Sequence, residues 1–211
     1  MKYQPVLIIV LIPVVIIFTN FLLMATNYNY YLKIYKEQNI YSNFSDKKDL
    51  NGATINLISY FRGNNVLEQN YYSNQAVLHL KDVKYLLNIA HFTTLGSILL
   101  LLSAIALAVS KKKIEKLIKA VIIGAASAII LTIVIIAALI VNFQNMFIYF
   151  HLALFRNNYW LFDESDNLIK MFPQRFFVSF AYHLVTNIIV TAIVLLLAAL
   201  ILKKINDKPH T

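Results

Sequence analysis

Five histidines are the side chains of this 211-residue sequence best suited to moving a proton near neutral pH: His79, His91, His151, His183 and His210. Imidazole titrates near pH 6.5, so one ring can both take a proton and return it. His79 opens the run His79-Leu-Lys-Asp-Val-Lys84, which puts Asp82 three residues on. At helical spacing the two share a face, and a carboxylate there can orient an imidazole and raise its basicity. An H-x-x-D pair is also what an ordinary solvated helix turn contains, and spacing alone favours that simpler account. His151 lies in aromatic company: thirteen of the chain's twenty-eight aromatic residues stand between Phe143 and Tyr182, Trp160 among them. Composition leaves two accounts of that density open, a belt at the headgroup level of a membrane or the wall of an apolar pocket for an acyl chain or glyceryl ester. His91 and His183 fall inside apolar stretches, where an ionisable group is a functional suspect by default. A neutral imidazole bonded to a neighbouring helix is the commoner outcome, and both read as structural. His210 sits in a polar tail and asks for no explanation.

Other chemistries lack their residues. The chain has no cysteine, hence neither a disulfide framework nor a thiolate nucleophile. HExxH, Cys/His metal spacing, a G-x-S-x-G elbow and a glycine-rich phosphate loop are absent, so neither a metal nor a cofactor is expected. The net charge of +9 raises nucleic-acid binding, which requires basic residues gathered on one folded face. Here they flank apolar runs, and nucleic acid is not an expected partner.

The elements that must position the histidines follow from hydropathy. Hydrophobic residues make up 59% of the chain and charged residues 14%, too little charge for a water-facing surface, so the expected solvent is the bilayer. Crossing hydrocarbon takes about 20 helical residues. Four stretches are long enough: residues 6–26, 86–109, 117–141 and 176–202. Pro5 and Pro13 fall at the first, where membrane helices tolerate proline. That stretch is longer than the apolar run of a signal peptide and no A-x-A-like site follows, so it reads as retained. The expected fold is an all-α membrane protein, four transmembrane helices in a single membrane domain with an extracytoplasmic cap.

Charge orients it. The short pieces hold nine Lys/Arg (Lys2, Lys111, Lys112, Lys113, Lys116, Lys119, Lys203, Lys204 and Lys208) against two acids, Glu115 and Asp207. The two long connections, residues 27–85 and 142–175, hold ten against eight. Positive residues stay on the cytoplasmic side, which places both termini there and the long connections outside. The first connection is too long to be bare and is expected to fold over the membrane. Within it Gly52 and Gly63 read as turns, and residues 75–87 as a helix feeding the second span. In the second connection residues 163–166 read as a turn, followed by residues 168–172 and Pro173.

The run His79-Leu-Lys-Asp-Val-Lys84 and the run Phe150-His-Leu-Ala-Leu-Phe-Arg-Asn-Asn-Tyr-Trp-Leu-Phe-Asp-Glu-Ser-Asp-Asn-Leu-Ile-Lys-Met-Phe-Pro173 resemble two signatures of one four-span bacterial family, which includes the lipoprotein intramolecular transacylases. The resemblance implies a reaction that moves an acyl chain from the sn-2 ester of a diacylglyceryl-cysteine to the α-amino group of that cysteine, leaving an N-acyl, lyso-form lipoprotein. It implies His79 and His151 as the catalytic pair, at the outer leaflet of a bacterial cell membrane. The partners are then a diacylated lipoprotein and membrane lipid. One departure from the family pattern is Ala76, where a carboxylate often stands one turn before the first histidine. For such chemistry His79, oriented by Asp82, is the favoured base and His151 the group that holds the oxyanion or protonates the leaving oxygen, although the order of the two is open. An aromatic-walled cavity would also exclude the water that would otherwise hydrolyse the ester, and Trp160, Arg156 and Asn157 read equally as wall or headgroup contacts there or as a structural cap turn. A reading from another class is a non-enzymatic tetraspan accessory protein that binds a partner through its outer loops.

Overall fold

The computed structural model describes residues 4–207, so Lys2, Lys208 and His210 lie outside the described residues. Those residues are helical with no strand among them. Four helices are long and apolar enough to cross a membrane: α1 (Gln4–Ala25), α4 (Asn74–Ser110), α5 (Ile114–Val141) and α8 (Gln174–Asn206). Between α1 and α4 lie α2 (Tyr28–Glu37), a 3-10 turn (Ile40–Asn43) and α3 (Lys47–Phe61), and between α5 and α8 lie α6 (Phe143–Leu154) and α7 (Asn167–Met171). The helix expected over residues 75–87 and the apolar stretch behind it are one continuous α4 of 37 residues. At 1.5 Å per residue that is about 55 Å, against about 30 Å of hydrocarbon. His79, in its second turn, stands before the apolar stretch of residues 86–109.

The chain forms two compact units. The first takes in α1 up to Phe21, then Ala90–Ala138, then α8 from Leu184 on. Its core is a seam of small and branched residues, Ile8, Ile12 and Ile16 with Ala104, Ala120, Ala128, Ile188 and Ala192. Small residues let helix backbones approach closely, which is how apolar helices associate where hydrophobic burial supplies no drive. The closest approach is at Gly124 of α5. A Cβ built there would lie 3.0 Å from Ile12 Cβ and 3.3 Å from Ile9 O. Pro13 has no N–H to donate to that same Ile9 carbonyl, four residues earlier in α1. The outward faces keep Leu99, Ile133, Val134 and Val194 exposed, as lipid-facing helices do.

The second unit is Leu22–Ile89 with Leu139–His183, and it has an aromatic core. Tyr31, Ile34, Tyr35, Leu50, Leu57, Tyr72, Met171 and Phe176 are buried together. Their hydroxyls are engaged. Tyr72 donates to Ala53 O at 2.7 Å and Tyr31 to Ala25 O at 2.8 Å. Thr54 Oγ1 donates its one proton to Leu50 O at 2.7 Å, so Tyr35 must be the donor in its 3.1 Å bond to Thr54. Gly63 marks a turn, with φ +87° and its N–H on Tyr60 O. Gly52 does not: it lies inside α3, contrary to expectation. Asp46 caps that helix by accepting from Lys48 N at 2.7 Å, and Leu50, Ala53 and Leu57 bury one face. Cap and burial together outweigh the roughly 1 kcal/mol penalty of a helical glycine. Asp163 accepts from Ser165 N at 2.8 Å and closes the expected turn, and Asp166 then caps α7 by accepting from Leu168 N at 2.7 Å.

Candidate active site

Both histidines of interest lie in the second unit. His79 is on α4, and His151 is in the last turn of α6, a helix that begins where Asn142 accepts from Asn145 N at 3.0 Å. The rings are close and nearly parallel, centroids 6.1 Å apart and planes at 28°. Each is almost fully buried, 8% exposed for His79 and 7% for His151. Phe155 touches both, at 5.0 Å from His79 and 5.5 Å from His151. Its N–H also closes α6 on His151 O at 2.8 Å, so the helix end and the ring contact are made by one residue. Phe162 meets His79 edge-on at 5.5 Å, and Trp160 and Phe147 lie 4.9 and 4.1 Å from His151. Part of the aromatic density therefore surrounds the imidazoles. Another part, Phe172 and Phe176 with Tyr31, packs the core.

The two imidazoles share an electrostatic bias. Burial pushes His79 down to about 4, the neighbouring His151 adds to the push, and the Asp82 carboxylate opposes it. Burial also lowers His151, against a hydrogen bond to the Phe147 carbonyl that raises it. Two cations this near in an apolar setting repel, so the pair is neutral at pH 7. His151 Nδ1 lies 2.7 Å from Phe147 O. A carbonyl only accepts, so the neutral ring carries its proton on Nδ1 and offers a bare lone pair on Nε2. His79 Nδ1 is buried with no hydrogen-bond partner.

The expected supporting residues take specific places. Asp82 accepts from Asn157 Nδ2 at 2.9 Å; it acts on His79 through its charge. Asn157 also accepts from Tyr159 N at 3.1 Å, and Trp160 Nε1 donates to Asn157 O at 3.0 Å. Arg156 is exposed. A residue that sequence reasoning missed is Gln75, whose amide donates to Leu161 O at 2.6 Å and to Tyr159 O at 3.3 Å. Its signal was its spacing, one turn before His79 on the face that also carries Asp82.

The remaining histidines stand elsewhere. His91 is exposed on α4. His183 Nε2 lies 3.4 Å from Glu37 Oε2 of α2, and its ring packs edge-on to Tyr30 at 5.9 Å. A cavity of about 610 Å³ in the second unit is lined by Gln38, Gln174, Arg175, Val178, Ser179 and Tyr182, and by neither ring of the pair. Among the described residues no three His, Cys, Asp or Glu side chains gather as metal ligands would.

The chain is similar along its whole length to solved structures of a membrane integral lipoprotein intramolecular transacylase from Bacillus cereus. One is 26% identical with a TM-score of 0.80, covering 99% of this chain and 100% of that one. A second, carrying a histidine-to-alanine mutation, is 22% identical with a TM-score of 0.82, covering 97% and 94%. No curated protein sequence matches the chain. The family model described as lipoprotein intramolecular transacylase Lit matches residues 6–177, the stretch that holds both buried histidines and every aromatic ring stacked on them, and the chain belongs to that family.

Proposed function

We propose that His79 and His151 carry out the family's acyl transfer in this chain, from the sn-2 ester of a diacylglyceryl-cysteine to the α-amino group of the same cysteine. The observation that carries the reading is the pair of buried imidazoles with ring centroids 6.1 Å apart, one of them bonded at Nδ1 to a main-chain carbonyl. The α-ammonium gives one proton to solvent, and His151 Nε2 takes a second from the resulting amine as its nitrogen attacks the sn-2 carbonyl carbon. A C–N bond forms, and the carbonyl oxygen becomes an oxyanion that an N–H of His79 stabilises. Collapse breaks the C–O bond to glycerol, and the proton on His151 Nε2 passes to the departing oxygen. The products are an amide and a free sn-2 hydroxyl, with no covalent enzyme intermediate, because donor and acceptor belong to one molecule. Alignment of that kind contributes on the order of 7 kcal/mol or more. This order of roles reverses the sequence-based preference. It is favoured because His151 has the fixed lone pair while burial weakens His79 further as a base.

Residues 27–85 and 142–175 then form the extracytoplasmic cap of a multi-pass membrane enzyme, with the pair at the outer leaflet and both termini cytoplasmic. The lysines at the α4–α5 turn and at the end of α8 support that orientation. The substrate is a diacylated lipoprotein, drawn from the surrounding lipid. The experiment is mass spectrometry of a lipoprotein N-terminus from cells carrying the wild type, His79→Ala or His151→Ala. N-acyl lyso-form product with the wild type, falling by about 10²-fold or more in each variant at equal protein level, is the expected result. Undiminished product in either variant removes that histidine from the chemistry.

A further inference from the structure

Residues 157–161 are held onto α4 from both sides of His79. Gln75, His79 and Asp82 stand at i, i+4 and i+7 on one face of that helix. Gln75 Nε2 donates to the carbonyls of Leu161 and Tyr159, and Asp82 Oδ2 accepts from Asn157 Nδ2. The segment between the ties is itself closed. Leu161 N donates to Asn158 O at 3.1 Å, and Asn157 holds both the Tyr159 amide and the Trp160 indole N–H. The result is a strap with its turn fixed, anchored to the helix that carries one histidine and laying its indole against the other at 4.9 Å. The next residue, Phe162, closes on His79.

An ester beside a base has two fates. If the α-amino nitrogen attacks, a C–N bond forms, the sn-2 C–O bond breaks and the glycerol oxygen takes the amine's proton. If water attacks, a new C–O bond forms and the same ester C–O bond breaks. The glycerol oxygen again takes a proton, and the chain leaves as a free fatty acid. The base and the oxyanion site serve both equally, so the partition is set by the alignment of the tethered amine and by the exclusion of water. We propose that the strap of residues 157–161 is the wall that keeps water from the sn-2 ester. Gln75 and Asp82 are positioning residues that hold it shut and so set the ratio of acyl transfer to hydrolysis. The proposal rests on the acyl-transfer reading above.

The test uses the full-length protein in detergent and a synthetic diacylglyceryl-cysteine lipopeptide, with the N-acyl product and free fatty acid measured in the same reaction. Gln75→Glu keeps the side chain's shape but cannot donate to the two carbonyls, and Asn157→Ser removes the other tie. Each is expected to raise the ratio of fatty acid to N-acyl product about fivefold, the scale on which one hydrogen bond shifts a closing equilibrium. The ratio is independent of how much enzyme is folded, and either variant suffices if the other does not accumulate. An unchanged ratio with product still forming overturns the wall, and so does loss of both products in a folded variant, because a wall alters the partition and not the chemistry. Undiminished N-acyl product from His79→Ala instead overturns that ring's role in the acyl-transfer reading, whatever the ratio.

Discussion

At the scale of single residues, burial makes His79 a pH-dependent liability. Its pKa is pushed from 6.5 to about 4 in the folded chain. Between those values the unfolded chain takes a proton that the folded chain refuses, so stability is complete above pH 6.5 and is lost as pH falls toward 4. His151 is shifted in the same direction and adds to the loss. The melting temperature of the purified protein is therefore expected to drop between pH 7 and pH 5, and the drop to be smaller in His79→Gln. An equal drop in the two would show that His79 is not held neutral by the fold. Asp82 works against this trend through its charge, and its tie to Asn157 keeps that charge near the ring.

At the scale of elements, two glycines predict opposite effects. Gly52 lies exposed inside α3 with nothing within 4 Å of a built Cβ, so Gly52→Ala adds helix propensity without a clash. A gain of about 0.5–1 kcal/mol is expected. Gly124 faces Ile12, whose Cβ cannot rotate away and whose side chain is buried. Gly124→Ala should lose about 1–3 kcal/mol by overpacking. Melting curves of the two variants beside the wild type check both signs. The same contrast explains what was legible in the sequence. The long apolar helices announce themselves by length alone, because hydrocarbon thickness sets a threshold that four helices pass among the described residues. Gly52 misled because a local preference of about 1 kcal/mol gives way to a cap and three buried side chains. Helix α6 was not foreseen, although Asn142 before Phe143, Phe147 and Phe150 was its signal. The family signatures named His79 and His151, but their proximity follows from α6, Phe155 and the strap. No spacing within either run encodes a contact between residues 72 positions apart, the gap from 79 to 151.

At the scale of the whole molecule, the absence of cysteine makes the orientation directly measurable. Glu164→Cys sits in the exposed turn of the second unit and Lys116→Cys in the first turn of α5. A membrane-impermeant maleimide is expected to label the first on intact cells and the second only after permeabilisation. The reverse pattern would invert the proposed topology. The bond between His151 Nδ1 and the Phe147 carbonyl reaches further than its length suggests. With the Nδ1 proton held on that carbonyl, the neutral ring has a single nitrogen, Nε2, free to accept a proton. In the acyl transfer proposed above, the nitrogen that gives up a proton and the oxygen that receives it would visit the same lone pair in succession, within one bond's radius of a fixed point. Two atoms tethered on one glycerol–cysteine scaffold meet that demand by swivelling a few bonds, whereas two separate molecules would have to exchange places in the site.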